Sequence, residues 1–183
     1  MIAERKERIF LTGFMGSGKS TIGPILANTL GYDFMDIDHV IEEREGKTVR
    51  QIFQERGEEY FRGLERAIVG ELVLRKHLVV SLGGGTMVDP TNFRAISNSG
   101  IVVYLKTSPE HIYRRMHRKQ DRPILIDIRG ERLSSSELRA RIQQLFTQRE
   151  RFYAKADITV STDDQRVGIT VDQIVRELSL HLE

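Results

Sequence analysis

One eight-residue segment constrains this chain more than any other feature, and it reads Gly13-Phe14-Met15-Gly16-Ser17-Gly18-Lys19-Ser20. It matches the phosphate-loop pattern G-x-x-x-x-G-K-[ST] at every specified position. The apolar residues 9–12 before it predict a strand, and residues 19–30 predict a helix that Gly31 ends. Glycines in such a loop let consecutive backbone N–H groups face phosphate oxygens. The sequence therefore predicts binding of a nucleoside triphosphate.

The same motif assigns roles to individual positions. Lys19 can reach the β- and γ-phosphates, and the Ser20 hydroxyl can bind Mg²⁺. The helix that follows adds free N–H groups and the positive end of its dipole. We predict nucleotide contacts from the loop residues Gly16, Ser17, Gly18, Lys19, Ser20 and Thr21. A glycine-rich turn that binds nothing is the alternative, and the flanking strand and helix argue against it.

Beyond the loop, short apolar runs alternate with stretches of helical periodicity. Strands are predicted at residues 9–12, 34–36, 78–82, 101–105 and 157–160. Helices are predicted at residues 48–56 and 58–76, among others, with Thr170 capping the last one. Most of these strands are apolar on both faces, which is typical of a parallel sheet covered on both sides. We expect an α/β fold with a five-stranded parallel sheet and helices on both faces.

Length and composition set limits on the function. The 183 residues suit one domain spanning 1–183, and the net charge of +2 gives no general attraction for nucleic acid. The absence of cysteine excludes disulfides, thiolate catalysis and cysteine-ligated zinc. The charged residues 1–8 lack a signal-peptide core, and no apolar run approaches the length of a membrane span. We expect a cytoplasmic monomer without a membrane or nucleic-acid partner.

The rest of the sequence selects among phosphate-loop proteins. A regulatory GTPase needs D-x-x-G after a strand and an N/T-K-x-D element; Asp127 to Gly130 matches the first, but in an irregular stretch. Ala154 stands where the second element needs Asn or Thr. A motor-type ATPase usually has Asp at the end of an apolar strand, whereas the strand at 78–82 runs into Gly83-Gly84-Gly85. A small-molecule kinase is the remaining interpretation.

Asp36 and Asp38 are the acidic residues nearest to a predicted strand end. If the strand persists, alternation directs the two side chains differently, one towards Mg²⁺ and the other towards an acceptor. Phosphoryl transfer to an alcohol needs a carboxylate near the attacking hydroxyl. An Asx turn or a helix N-cap at Asp38 explains the spacing equally well.

Three further features have both a functional and a plain interpretation. Arg62 and Glu65 share a helix face, and they are either part of a binding site or a surface ion pair. The three glycines 83–85 indicate a close backbone approach or a flexible loop. Residues 114–123 contain five Lys or Arg residues, which form a phosphate clamp on a mobile lid or a solvated helix end. A nucleic-acid patch is disfavoured because no aromatic residue is interleaved.

Taken in order, these elements resemble the shikimate kinase family over nearly the whole chain. The resemblance rests on the phosphate loop, Asp36-x-Asp38, Phe61-Arg62-x-x-Glu65, Gly83-Gly84-Gly85, Arg122-Pro123 and Arg149. It implies a P-loop fold like that of nucleoside-monophosphate kinases, with a substrate-binding segment at about 37–66 and a mobile lid at about 118–133. It also implies transfer of the ATP γ-phosphoryl group to the 3-hydroxyl of shikimate, with Mg²⁺ as cofactor.

The resemblance implies a role for each matching residue. Asp38 would bind the attacking hydroxyl, and Asp36 would join Ser20 in the magnesium environment. The acceptor carboxylate and ring would be held by Arg62, Arg149, Glu65, Phe53, Phe61, Gly83, Gly84 and Gly85. The catalytic residues would be Lys19, Asp38 and Arg122, and the nucleotide would also meet Arg115, Arg122 and Arg166.

Physical chemistry agrees with an acceptor site that has arginines at one end and a carboxylate at the other. A guanidinium group pairs with a carboxylate through two parallel hydrogen bonds, which fixes orientation as well as charge.

The segment 163–166 departs from the family because it has no proline, so only Arg166 is assigned to adenine there. A gluconate-type sugar-acid kinase and a nucleotide-binding regulator without an acceptor remain as alternatives.

Overall fold

The computed structural model describes residues 7–117 and 133–181 of the chain. Its strands are β1 Arg8–Thr12, β2 Asp33–Asp36, β3 Leu78–Ser81, β4 Ile101–Lys106 and β5 Ile158–Ser161. Its α-helices are α1 Lys19–Leu30, α2 Ile37–Glu45, α3 Val49–Leu72, α4 Pro90–Ser99, α5 Pro109–His117, α6 Ser135–Tyr153 and α7 Val167–Leu180. A short 3₁₀ turn, Thr86–Val88, follows β3.

The five strands form one sheet in the order β2-β3-β1-β4-β5, and every neighbouring pair is parallel. The registers place Asp36 beside Ser81, Leu11 beside Ser81, and Lys106 beside Ser161. The carboxyl ends of all five strands therefore meet at one edge of the sheet, where open α/β sheets bind ligands. The predicted five-stranded parallel sheet is confirmed.

Helices cover both faces of the sheet, as expected from strands that are apolar on both sides. Phe10 of β1 and Val80 of β3 pack with apolar residues of α2, α3 and α4. Their neighbours Ile9, Leu11 and Val79 point the other way and pack against α1 and α7. This division follows from the two-residue period of a strand. Because helices cover both faces of the sheet, its polar loops lie at the ends of the strands.

Local sequence signals set most helix ends. Thr48 and Ser134 each form a complete capping box at the start of α3 and α6. Gly57 interrupts α3 with φ 81°, which matches the two predicted helices on either side of it. The second of these ends at Leu72 instead of Lys76.

The predicted start of the last helix was wrong. The last helix starts at Val167, and Thr170 lies inside its first turn, where its hydroxyl donates to the Arg166 carbonyl oxygen at 3.4 Å instead of capping the end. Strand β2 ends at Asp36, as predicted, and does not continue to Asp38, which belongs to helix α2. Strand alternation therefore has no part in separating the two aspartates.

Among the described helices, none combines the length and the apolar character that crossing a bilayer requires. Arg122 and nearly all of the predicted lid at 118–133 lie outside the described residues.

Candidate active site

The phosphate loop joins the end of β1 to helix α1. Gly16 and Gly18 adopt φ values of 79° and 107°, a region that strongly favours glycine. Gly18 is the N-cap of α1 and has no side-chain cap, so the first N–H groups of the helix face the cavity beside it. The Lys19 ammonium donates to the carbonyl oxygens of Gly13 and Phe14 at 2.8 and 3.2 Å. The Lys19 side chain therefore folds back onto the backbone of the phosphate loop, beside a helix end that can bind an anion.

Asp36 connects this loop to the neighbouring strand. Its Oδ1 atom accepts hydrogen bonds from the backbone N–H groups of Asp38 and His39, which makes Asp36 the N-cap of α2. Its Oδ2 atom accepts a hydrogen bond from the Ser20 hydroxyl at 3.1 Å. The cap predicted as an alternative at Asp38 is therefore at Asp36. Capping turns one carboxylate oxygen to the helix and leaves the other with Ser20.

Asp38 is freed from capping and lies in the first turn of α2. Burial raises its pKa to about 6, and the negative charges of Asp36 and Glu65 act in the same direction, while Lys19 opposes them. A carboxylate with such a pKa is mostly ionised at neutral pH and is a stronger proton acceptor than a free aspartate. Its surroundings suit a group that handles a proton.

The three glycines after β3 are where several polar side chains converge. A Cβ atom on Gly83 would lie 2.9 Å from Asp38 Oδ1 and 3.0 Å from Glu65 Oε1. A Cβ atom on Gly84 would lie 3.3 Å from Arg149 Nη1. A Cβ atom on Gly85 would lie 2.7 Å from Arg62 Nη2. Each glycine therefore makes room for a different charged side chain, so the segment is more than a flexible loop.

Arg62 is held by an ion pair with a buried carboxylate. Its Nη1 atom donates to Oε2 of Glu65, a residue with no exposed surface. The other oxygen of Glu65 accepts from the buried hydroxyl of Thr86 at 2.6 Å. Burial by itself lowers the pKa of Arg62, but its ion pairs with Glu65 and Glu58 outweigh this and raise it. The interpretation as a surface ion pair is therefore wrong for Arg62 and Glu65.

Arg149 approaches the glycines from helix α6. The buried Tyr153, one turn further on, donates its hydroxyl hydrogen to the Gly84 carbonyl oxygen at 2.5 Å. Its ring packs against Tyr104 of β4 with ring centroids 5.4 Å apart. Burial raises the pKa of Tyr153 to about 12, so its hydroxyl remains a donor at physiological pH. Tyr153 thus ties α6, and Arg149 with it, to the glycine segment.

One cavity of about 850 Å³ runs along this edge of the sheet. Its middle is lined by the phosphate loop, and one end by Asp38, Ser81 and Gly84. Its other end is lined by residues after β4 and β5, among them His111, Arg115, Thr162, Asp164 and Gln165. Strand order explains this layout, because β2 and β3 lie on one side of β1, and β4 and β5 on the other.

Comparison with known proteins identifies the family. The family described as "Shikimate kinase" matches residues 15–179. A shikimate kinase of Chlorobium phaeobacteroides strain BS1 is 49% identical over 174 residues, which cover 95% of this chain and 87% of that protein. The chain belongs to the shikimate kinase family. The resemblance seen in the sequence is confirmed, and the protein is an ATP-dependent phosphotransferase.

Solved structures of the shikimate kinase family agree with the fold. The shikimate kinase of Acinetobacter baumannii, solved in complex with shikimate, has a TM-score of 0.87 and is 33% identical. The alignment covers 97% of this chain and 95% of that one. The enzyme of Bacteroides thetaiotaomicron has a TM-score of 0.85 and 37% identity, over 94% of this chain and 98% of that one.

The residues that the shikimate kinase resemblance assigned to the acceptor lie close together. Arg62, Glu65, Asp38 and Arg149 all approach Gly83 to Gly85. Phe53 and Phe61 stack at 4.7 Å on the helix that carries Arg62, with Phe61 buried in the core. On the nucleotide side, the predicted loop residues and Arg115 all line the cavity.

Arg166 is the exception among the described residues predicted for the shikimate kinase site. It is exposed at the N-cap of α7, and its neighbours Gln165 and Val167 line the cavity in its place. The backbone at this cap is extended, with φ −71° and ψ 144°. The side chain of Arg166 therefore points in a different direction from those of Gln165 and Val167. Its assignment to adenine is not supported by this geometry.

Sequence reasoning missed the residues that support the charged groups of this shikimate kinase family site. Thr86 follows the three glycines directly, which is the only signal in the sequence for its bond to Glu65. The only signal for Tyr153 is its position four residues after Arg149 on the same helix. In both cases a hydroxyl meets a partner far away in the chain, and no local pattern predicts such a pair.

Proposed function

We propose that this chain transfers the γ-phosphoryl group of ATP to the 3-hydroxyl of shikimate. The observation that carries the proposal is the convergence of Asp38, Arg62 and Arg149 on the glycines at one end of the phosphate-loop cavity. Shikimate has one carboxylate and three hydroxyls, so it needs arginine at one end and a hydrogen-bond acceptor at the other. The related enzyme of Acinetobacter baumannii, solved with shikimate, supports this substrate.

In this proposal Asp38 accepts a hydrogen bond from the attacking hydroxyl and takes its proton during transfer. The pKa of about 6 keeps the carboxylate ionised at neutral pH while making it a better base than a free aspartate. Lys19 leaves its two loop carbonyls and pairs with the phosphates, where its charge stabilises the transition state.

Arg62 and Arg149 bind the acceptor carboxylate. The Glu65 carboxylate accepts a hydrogen bond from the Arg62 guanidinium, and the Thr86 hydroxyl holds that carboxylate in place through a buried hydrogen bond. Such support keeps a side chain in its productive position before the substrate arrives, which reduces the ordering that binding requires. The proposed substrate-binding segment at about 37–66 carries Asp38, Phe53, Phe61, Arg62 and Glu65.

The oxygen donors around the phosphate loop fit Mg²⁺. The Ser20 hydroxyl and Asp36 Oδ2 lie 3.1 Å apart, and both are hard oxygen ligands of the type Mg²⁺ prefers. Among the described residues, no group of three or more acidic or histidine side chains could hold a metal ion, which agrees with an ion bound largely through nucleotide phosphates. We propose that Ser20 and Asp36 hold Mg²⁺ there, and that bound Mg²⁺ neutralises charge on the phosphates.

The remaining parts of the proposal concern residues and properties beyond the described site. We propose that Arg122 and the lid at about 118–133 close over the phosphates during transfer. We also propose that the chain acts as a monomer in the cytoplasm. A composition without cysteine agrees with the reducing conditions of the cytoplasm.

Measurement of ADP release with different acceptors tests the function. With Mg²⁺ and ATP, we expect turnover when shikimate is added and only background hydrolysis with gluconate or with no acceptor. Turnover with gluconate would favour a sugar-acid kinase. ATP binding without any acceptor-dependent turnover would favour a nucleotide-binding regulator.

The acid limb of the pH profile should reflect Asp38. Its folded-state pKa is raised to about 6, so protonation below that pH removes the proton acceptor. We expect log(kcat/KM) for shikimate to fall below about pH 6 with a slope approaching one. Steady-state rates between pH 5 and pH 8 measure this. A profile that stays flat down to pH 5 would contradict the proposed role.

Substitution of Gly85 by alanine should weaken shikimate binding. Its φ of −111° is open to alanine, so the effect comes from the new Cβ atom, which would press on the Arg62 guanidinium. We expect KM for shikimate to rise about tenfold, equivalent to about 1.4 kcal/mol, while KM for ATP stays unchanged.

Gly70→Ala is the matched control for Gly85→Ala. Gly70 lies on the exposed side of α3, and a Cβ atom there would meet nothing within 4 Å. Its kinetics should equal those of the parent protein, with a gain of about 0.5–1 kcal/mol in the free energy of unfolding. Equal KM values for shikimate in both variants would show that Arg62 does not depend on the room at Gly85.

A further inference from the structure

The cavity leaves one place for the nucleoside part of ATP. Its middle is occupied by the phosphate loop, and the acceptor groups lie at the β2–β3 end. The base and ribose must therefore lie towards the carboxyl ends of β4 and β5, where Thr162, Asp164 and Gln165 form part of the wall. This placement rests on the proposed binding of ATP.

Residues 162–166 form that wall as a short loop after β5. Its first residue, Thr162, is well fastened: its N–H group donates to the Lys106 carbonyl oxygen at 2.8 Å. Arg115 donates to the Thr162 carbonyl oxygen at 2.7 Å and to the Gly16 carbonyl oxygen at 2.9 Å. The start of the loop is thereby tied to the phosphate loop.

His111 fastens the next part of the same loop. Its Nε2 atom lies 3.0 Å from Asp164 Oδ1, and its Nδ1 atom lies 3.3 Å from Asp163 Oδ2 and 2.8 Å from the Ser108 hydroxyl. Asp163 Oδ2 also accepts a hydrogen bond from the Ser108 N–H group at 2.9 Å. The imidazole thus joins helix α5 to two consecutive loop residues and itself lines the cavity.

Asp164 is the residue that most needs such support. Its φ of 54° lies in the left-handed region, which costs most non-glycine residues roughly 1–2 kcal/mol and which aspartate enters more readily when its side chain is hydrogen-bonded. The Asp164 side chain is 85% exposed, whereas that of His111 is only 21% exposed. The bond to His111 also lowers the pKa of Asp164, which agrees with an interaction that favours the ionised carboxylate. The partly buried imidazole therefore anchors an exposed residue in an unfavourable backbone conformation.

We propose that His111 is a positioning residue for the nucleoside half of ATP. It holds Asp164 in the left-handed conformation and so keeps the 162–166 loop in place as the wall of the base and ribose subsite. It takes no part in the chemistry at the phosphates, since its contacts are with Ser108, Asp163 and Asp164. Arg115 holds the start of the loop independently of it.

Binding of ATP and of inorganic tripolyphosphate, each measured by calorimetry without acceptor, tests this. Tripolyphosphate reports on the phosphate loop alone. In His111→Ala we expect Kd for ATP to rise about tenfold and Kd for tripolyphosphate to stay unchanged, a loss typical of one charged hydrogen bond. In steady-state assays KM for ATP should rise, with kcat and KM for shikimate unchanged.

Conservative variants distinguish positioning from general loss of structure. Glutamine places its amide near the position of Nε2, so His111→Gln should recover most of the ATP affinity; asparagine reaches only the Nδ1 position, so His111→Asn should not. Asp164→Ala removes the same bond from the exposed side and should give the same selective loss, even if His111→Ala folds poorly. Kd for ATP in the double variant His111→Ala/Asp164→Ala should be no higher than in the single variant that binds ATP less tightly, because both substitutions remove the same bond. His181→Ala, an exposed histidine at the end of α7, is the control.

Several outcomes would overturn the proposal. Unchanged ATP affinity in both His111→Ala and Asp164→Ala would show that the bond does not position the loop. Equal weakening of ATP and tripolyphosphate would mean that the effect lies at the phosphate loop. These results are separable from the proposed function, because absence of shikimate turnover in the parent protein would leave the binding comparison intact.

Discussion

Asp38→Asn is expected to reduce kcat by about 10²–10⁴-fold, the range typical for loss of a general base. The amide keeps the size of the side chain and can still form hydrogen bonds with the acceptor hydroxyl, but it cannot take its proton. ATP binding should survive, because Asp36 and the phosphate loop are untouched. Steady-state kinetics and ATP calorimetry on the same preparation measure both quantities.

The same substitution should stabilise the protein. The pKa of Asp38 is raised from 3.8 in the unfolded chain to about 6 in the folded state, so the ionised carboxylate opposes folding above pH 6. Asparagine carries no such charge. We expect the free energy of unfolding at pH 7.5 to increase by about 2 kcal/mol, and the gain to disappear as the pH falls from 6 towards 4.

Asp33→Asn is the control for both effects. Asp33 begins the same strand β2, but its side chain is 75% exposed and pairs only loosely with Arg75 at 3.5 Å. Its kinetics and stability should stay close to those of the parent protein. Loss of ATP binding or of stability in Asp38→Asn would place Asp38 on the nucleotide side or in a structural role.

Arg62→Ala should produce the largest change in acceptor binding. Truncation of one partner of a buried charged pair costs about 2–5 kcal/mol, so KM for shikimate should rise between about 30-fold and about 5,000-fold. KM for ATP should not change, because Arg62 approaches Gly85 and not the phosphate loop. Assays at fixed saturating ATP with shikimate varied over a wide range measure this.

Arg62→Ala also leaves Glu65 buried without its cation. Glu65 has no exposed surface, and its remaining described partner is the Thr86 hydroxyl. We expect a loss of about 3 kcal/mol in the free energy of unfolding. The double variant Arg62→Ala/Glu65→Gln should recover much of that stability without recovering acceptor binding, which separates the two roles.

Arg66→Ala serves as the matched control, one turn further along α3. Arg66 forms an exposed ion pair with Asp89 at 2.9 Å and should change KM for shikimate little. A negligible change in KM for Arg62→Ala would contradict its assignment to the acceptor carboxylate. An equal change in both arginine variants would point to the total charge of this surface.

The sequence predicted those features that depend on neighbours in the chain. The phosphate loop, the helix start at Thr48 and the break at Gly57 are all local, and all three appear where expected. The spacing of Arg62 and Glu65 placed both on one helix face, although it could not tell a buried pair from an exposed one.

The caps at Asp36 and Thr170 show where local patterns fail. Asp36 and Asp38 both have suitable side chains for a cap, and the choice depends on where β2 stops. That point is decided by pairing with β3, which ends opposite Asp36 at Ser81. Thr170 lies inside the helix, which starts three residues earlier at Val167. Val167 packs against the apolar cluster between the sheet and helices α1 and α7, a tertiary contact that no cap signal records.

By itself, the sequence determined that this chain binds a nucleotide through a phosphate loop and folds as a parallel α/β sheet, because a motif and an apolar period are properties of adjacent residues. It also contained the ordered residues by which the shikimate kinase family is recognised. Only the tertiary structure decided what surrounds them. Burial raises the pKa of Asp38, Thr86 and Glu65 fix Arg62, and His111 holds Asp164, because each depends on side chains brought together from distant parts of the chain.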